Sequence, residues 1–180
     1  RLLDRTFRVA SPSFFQVNTR QTEQMLGIVR SRLQLAGDEL LVDAFAGVGT
    51  FAVLLAPNVR RVIAIEESVA AVRDATVNGE GIDGLELVKA KTEDVLMTLF
   101  EAPDALILDP PRSGCHPDVL KAIVDRPPRR IAYVSCEPET LARDLDVLVR
   151  GGLAVEAVEP IDMFPQTYHV ECVATLSGPA

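Results

Sequence analysis

The stretch Leu40-Leu-Val-Asp-Ala-Phe-Ala-Gly-Val-Gly-Thr-Phe51 reads as an apolar strand ending in an acid, a tight turn on Gly47 and Gly49, and the start of a helix. Glycine at those two positions lets the backbone take left-handed angles and approach a ligand closely. Outward from this unit, short apolar runs alternate with helical patterns. Strands are expected at Leu40–Ala44, Arg61–Ile65, Leu85–Lys89, Ala105–Leu108, Arg130–Ser135 and Ala154–Val158, and helical stretches at 19–35, 50–56, 68–79, 92–100, 117–125 and 138–150. In the first helix Met25, Leu26, Ile28, Val29, Leu33 and Leu35 fall near helical spacing, and Gly37 is expected to close it. Uninterrupted apolar strands such as ALIL and IAYV belong in a parallel sheet covered on both faces. A last run, Val170–Leu176, follows Ala154–Val158 without a helical crossover and should return antiparallel. The pattern predicts an α/β, doubly wound, mostly parallel seven-stranded sheet with an antiparallel terminal strand, Rossmann-like, in one domain over residues 1–180, of which 1–35 are lead-in and first helix.

With 48% hydrophobic residues among 180, the chain can fill a sizeable core. No run approaches the roughly 18 uncharged apolar residues of a membrane helix, and residues 1–20 lack the regions of a signal peptide, so a cytoplasmic location is expected. Cys115, Cys136 and Cys172 form no CxxC pair and suit a reducing compartment. Only His116 and His169 could join them as ligands, so no metal site is expected. The net charge of −8 argues against a domain that holds nucleic acid by itself. Residues 1–32, however, carry six arginines against Asp4 and Glu23, net +4, which leaves −12 on the rest. That basic end is either an RNA-facing surface or a solvated helix; charge alone does not separate the two. The opening on Arg1, directly in core-like sequence, fits a piece of a longer protein.

Ligands of open α/β sheets gather at the carboxyl ends of the parallel strands. Asp43 ends one strand there, and Glu66 ends the next, 23 residues later, where a carboxylate can accept hydrogen bonds from ribose hydroxyls. Ala52 replaces the third glycine of a dinucleotide fingerprint, and acids at this rim suit a cationic sulfonium better than a pyrophosphate. S-adenosylmethionine is the expected cofactor; a nicotinamide enzyme and a plain strand–helix turn are the other readings.

Asp109-Pro-Pro-Arg-Ser-Gly114 follows ALIL, with Asp109 at the strand's carboxyl edge and two prolines stiffening the loop. Asp109, Pro110 and Arg112 are candidates for the wall that holds a flat, polar base. Cys136 follows IAYVS and precedes Pro138 at a preferred first helical position, so its thiol should feel the helix's positive end, a field that favours thiolate. Position alone leaves a buried structural cysteine open as well. Cys115 lies in the loop after the prolines and is a neighbour candidate; Cys172 reads as core. Glu171, at the start of the antiparallel strand, should reach the rim of Asp43, Glu66, Asp109 and Cys136. A thiolate and a carboxylate converging beside a methyl donor suggest covalent catalysis with a general base.

Five blocks in order, Phe15-Gln-Val-Asn18, the Asp43–Thr50 loop, Asp109-Pro-Pro-Arg-x-Gly114, Ser135-Cys-Glu-Pro-Glu-Thr-Leu-Ala-Arg-Asp144 and Asp162-Met-Phe-Pro-Gln-Thr-x-His-Val-Glu171, resemble the catalytic domain of the RNA 5-methyluridine (uracil-5) methyltransferases, a class I methyltransferase fold. The resemblance covers about 160 of the 180 residues. It implies that Gln16, Phe45, Thr50, Glu66 and Asp109 line the S-adenosylmethionine site, beside Asp43, Gly47 and Gly49 of the turn read above, that Cys136 is the nucleophile and that Glu171 is the base. It implies a structured RNA partner (tRNA or ribosomal RNA), a chain acting as a monomer, and an N-terminal RNA-binding barrel outside this chain that supplies much of the RNA affinity. Two positions depart from the family. Glu137 stands where Asn is common after the cysteine and is expected to raise its pKa, and Thr50 also stands where Asn is common. The competing readings are methyl transfer to another base or position, and an RNA-binding module of the same fold with weakened chemistry.

Overall fold

The computed structural model describes residues 1–11, 13, 15, 16 and 18–179; Val17 of the Phe15–Asn18 block lies outside them. Seven strands, β1 (Leu40–Ala44), β2 (Arg61–Glu66), β3 (Leu85–Lys89), β4 (Ala105–Leu108), β5 (Arg130–Ser135), β6 (Ala154–Ile161) and β7 (Glu171–Ser177), form one sheet in the order β3-β2-β1-β4-β5-β7-β6. The pairs β2–β3, β1–β2, β1–β4 and β4–β5 are parallel, and β7 is antiparallel to both β5 and β6. The fold class read from the sequence is the one observed. β6 runs three residues beyond its expected end and carries a bulge between Val155 and Ala157, as edge strands often do.

Every residue of β1 and β4 is buried, because each lies between two neighbours and under helices on both faces. Alternation along the strands sorts the core into two layers. Leu40, Val42, Ala44, Leu106, Leu108, Ile131 and Tyr133 pack beneath α5 (Pro117–Asp125) and α6 (Pro138–Arg150). Leu41, Val62, Ala105, Ile107, Ala132 and Val134 pack beneath α1 (Thr19–Leu33) and α2 (Thr50–Leu55). Two further crossovers, α3 (Val69–Asn78) and α4 (Thr92–Leu96), complete the alternation; α4 ends four residues before the expected 100. Asn18 caps α1 by accepting from the Gln21 amide. The helix ends at Leu33, where Gln34 takes the left-handed angle (φ 51°) expected of a later glycine, and Gly37 falls in the turn beyond. Among the described residues, no helix is long and apolar enough to cross a membrane.

The lead-in is strapped to α3. Buried Asp74 accepts from the Ala10 amide and the Ser13 hydroxyl, both at 2.7 Å. Asn78 accepts from the Arg8 amide and donates to the carbonyls of Arg8 and Val48. Three of the six N-terminal arginines lie in ion pairs, Arg1–Asp4, Arg8–Asp74 and Arg32–Glu159, so part of the basic end is neutralised within the domain.

Candidate active site

The carboxyl ends of the parallel strands surround a cavity of about 500 Å³, a size typical of cofactor sites. Its wall includes Phe15, Gln16, Phe45, Gly47, Thr50 and Glu66 from the first half of the sheet, and Asp109, Pro110, Arg112, Cys136, Phe164 and Glu171 from the second. Of the residues singled out in the sequence, Asp43 and Gly49 lie outside that wall.

Asp43 is fully buried beneath the turn, and its carboxylate accepts from the Ala52 amide at 2.8 Å near the start of α2. Burial, with a smaller contribution from Glu66, pushes its carboxyl up to about 7. Asp43 therefore braces the loop from below and does not present itself to a ligand. The strand-end position was legible, but in a strand buried on both faces nothing in the sequence says which way the acid points. Gly49 has φ +84° and a Cβ there would lie 3.4 Å from Ala75 and Val53, so it permits the turn and its packing against α3. Gly47 differs. Its φ is +57°, and a Cβ would meet nothing within 4 Å, so bare backbone faces the open cavity. Phe45, a non-glycine at φ +62°, holds a strained left-handed angle in the same wall.

Glu66 sits at the end of β2 with both carboxylate oxygens engaged: one accepts from the Gly47 amide at 2.8 Å, the other from the Ser68 amide at 2.7 Å. Each oxygen keeps a lone pair for further donors such as ribose hydroxyls. Gln16, which lines the same cavity, has a buried side-chain oxygen with no partner among the described residues. An acceptor left bare, an exposed stretch of backbone, aromatic surface and a ribose-ready carboxylate fit an adenosyl cofactor with a cationic end.

In the second half, β5 and β7 pair with Ser135 opposite Cys172, so Glu171 stands level with Cys136. Glu171 is buried, and desolvation pushes its carboxyl up to about 7. Asp109 is pushed well above the usual carboxylate range by desolvation, then by Glu171 and Asp43. An acid held neutral in this way can donate a hydrogen bond to a base. The half-buried Cys136 thiol is raised by burial and by Glu171, against a hydrogen bond and the charge of Arg112. The expected thiolate-favouring field of the helix start is therefore outweighed. Glu137 is not among the groups that raise the thiol, contrary to the sequence expectation; Glu171, far along the chain, takes that role.

Cys115 is not a neighbour of the cavity. It is buried under α6, where its thiol lies 3.5 Å from the Tyr133 hydroxyl and is pushed up to about 12 by burial. Cys172 is buried, as its strand position implied. Sequence reasoning left several wall residues unassigned, among them Phe15, Lys91 and Phe164. Phe15 and Phe164 stood inside quoted blocks, whereas Lys91 lies in the β3–α4 turn and carries no motif.

The model of the tRNA (Uracil-5-)-methyltransferase family matches residues 3–178 of this chain. An uncharacterized RNA methyltransferase of Synechocystis is 46% identical over 178 residues, covering 97% of this chain and 38% of the relative. One from Thermotoga maritima is 43% identical over 172 residues, covering 94% and 39%. Among solved structures, the Pyrococcus abyssi tRNA (uracil-54, C5)-methyltransferase in complex with S-adenosyl-L-homocysteine superposes with a TM-score of 0.86 at 35% identity, covering 98% of this chain and 43% of that one. The chain thus spans about two fifths of the length of these relatives.

Proposed function

Because the chain belongs to the tRNA (uracil-5-)-methyltransferase family, we propose that it methylates carbon 5 of uridine in tRNA or ribosomal RNA, using S-adenosylmethionine and a covalent adduct at Cys136. The observation that carries this reading is the convergence of Cys136 and Glu171, from β5 and β7, on one cavity whose other wall is the glycine turn and Glu66.

S-adenosylmethionine supplies an electrophilic methyl group; Gln16, Phe45, Gly47, Thr50 and Glu66 would hold it, with Asp43 bracing their loop. Pro110 and Arg112 line the space left for the base, which must leave its stack to enter. Carbon 5 of uracil is a weak nucleophile. Addition of the Cys136 sulfur to carbon 6 breaks the ring double bond and leaves an enolate whose carbon 5 can take the methyl group. The Glu171 carboxylate then removes the carbon 5 proton, the electron pair restores the double bond, and the sulfur leaves as thiolate. Asp109, held neutral, can donate to a uracil oxygen as charge develops there.

The test uses the full-length protein and unmodified RNA. Wild type should release 5-methyluridine on digestion of the product, and 5-fluorouridine RNA, which has no proton to remove at carbon 5, should trap a protein–RNA adduct at Cys136. Cys136→Ala should lower turnover by at least about 10⁴-fold and abolish the adduct. Near-wild-type methylation by Cys136→Ala would overturn the covalent route, and methyl groups found on a nitrogen or on cytosine would overturn the substrate assignment.

A further inference from the structure

Arg112 and Cys136 lie on different segments, yet one buried carboxylate ties those segments together. Asp144, with no exposed surface, sits on α6 outside the cavity wall. One of its oxygens accepts from the Tyr133 hydroxyl and the Cys115 amide, both at 2.7 Å. The other accepts from Arg143, at 2.9 Å from Nε and 2.7 Å from Nη2. Arg143 Nη2 also donates to the Ser113 carbonyl at 2.9 Å, and the Thr140 hydroxyl donates to the Arg112 carbonyl at 3.0 Å. Between these ties stands Gly114, at φ +78°, where a Cβ would come 2.5 Å from Arg143 and 2.6 Å from Asp144. Bare backbone is needed there for the loop to seat against α6. The helix that begins just after Cys136 therefore grips the Asp109–Cys115 loop at residues 112, 113 and 115. The grip fixes the backbone of Arg112, which lines the same cavity as Cys136 and whose positive charge favours ionisation of the thiol.

We propose that Asp144, acting with Arg143, is a positioning residue that holds the loop carrying Arg112 beside Cys136 in the cavity wall, so that nucleophile and cation are kept together. The inference rests on the reading of Cys136 as nucleophile, but its test needs no turnover. Asp144 touches neither the thiol nor the cavity, so its effect must pass through Arg112. That route has a sign of its own. Removing a nearby negative charge would by itself ease thiol ionisation, whereas releasing Arg112 makes ionisation harder.

The measurement is the pH dependence of Cys136 alkylation by iodoacetamide in the full-length protein, followed at the Cys136 peptide by mass spectrometry. Asp144→Asn should move the midpoint upward and slow alkylation at neutral pH roughly 3- to 10-fold, since one pH unit in midpoint is tenfold in thiolate. Arg112→Ala should do the same, and the double variant should be no slower than either alone. Arg143→Lys, which keeps a cation facing Asp144, should recover part of the rate. Thr140→Val, a milder change should Asp144→Asn not fold, should shift the midpoint in the same direction by a smaller amount. An unchanged or lowered midpoint in Asp144→Asn and Thr140→Val, or effects of Asp144→Asn and Arg112→Ala that simply add, would overturn the proposal. If Cys136→Ala still methylates while the alkylation shifts appear, the nucleophile reading fails and the latch stands.

Discussion

Where β1 and β2 end, the carboxylates are occupied by backbone: Glu66 holds the amides of Gly47 and Ser68, and Asp43 holds that of Ala52. Where β4 and β5 end and β7 begins, Glu171 raises the pKa of both Asp109 and Cys136, with Arg112 as the cation that lowers the thiol. The two halves of one rim therefore solve different problems. The first half freezes a loop into a shape that backbone and acids can present to a cofactor. The second keeps ionisable groups desolvated, so that small changes in their surroundings decide which one carries the proton. Substitutions in the first half should cost stability and cofactor affinity; those in the second should cost turnover and leave the fold standing.

The sharpest break between the halves is expected at Glu171. Glu171→Gln keeps the shape of the side chain and removes the base, so turnover should fall by about 10²- to 10⁴-fold, with adduct formation at Cys136 retained. Wild-type kcat/KM should rise with pH through about 7 as Glu171 ionises, and continue upward as the raised Cys136 thiol ionises. The variant should lose the lower limb of that profile. Thermal stability at neutral pH should not decrease, because a buried acid raised to about 7 opposes folding once ionised. A Glu171→Gln protein that melts markedly earlier would mean that this half, too, is held together by its carboxylates.

The opposite signature is expected from Asp43. Its carboxyl is raised from 3.8 to about 7 by burial, so the folded state prefers it protonated. The associated stability is fully present below about pH 4 and is lost as pH rises through about 7, a change of a few kcal/mol. Asp43→Asn keeps an oxygen for the Ala52 amide and removes the charge. Thermal melts across pH 5 to 8 should therefore show a flatter stability curve than wild type. Weaker S-adenosylmethionine binding, read by calorimetric titration, should accompany any loosening of the Gly47–Thr50 turn. An unchanged pH profile of melting would place the charge of Asp43 in a wetter site than its burial implies.

How much of this contrast was legible in the sequence follows from what each signal measures. The apolar runs in β1, β4 and β5 announce strands buried on both faces, and the rule that ligands gather at strand carboxyl ends is enough to assign Glu66, Asp109 and Cys136 to one rim. The antiparallel return of β7 likewise brings Glu171 there. Such patterns report position along a strand, not the direction of a side chain at its end, so Asp43 reads as rim although it points beneath the loop. Proximity in the chain was also a poor guide to electrostatics. Cys115 is three residues from Arg112 yet packs under α6, while Glu171 is 35 residues from Cys136 and acts on it directly. Asp144 reads as one charged residue of an amphipathic helix, because its four donors come from three segments that only the fold assembles.

The smallest expected effect tests the same lesson at Glu137. A carboxylate next in sequence to the nucleophile looks as if it should hold the thiol protonated, yet it is Glu171 that acts on Cys136. Glu137 occupies the N-cap position of α6 without a side-chain cap, while its backbone amide and carbonyl are tied to the Ser135 hydroxyl. Asn is a far better N-cap, since its side-chain oxygen can accept from the free amides of the first turn. Glu137→Asn should therefore raise stability by about 0.5–1 kcal/mol, read from chemical denaturation, with the pH midpoint of Cys136 alkylation unmoved. A downward shift of that midpoint would show that charge adjacent in sequence does reach the thiol, and the contrast between a backbone-locked half and an electrostatically coupled half would then have to include the residue that opens α6.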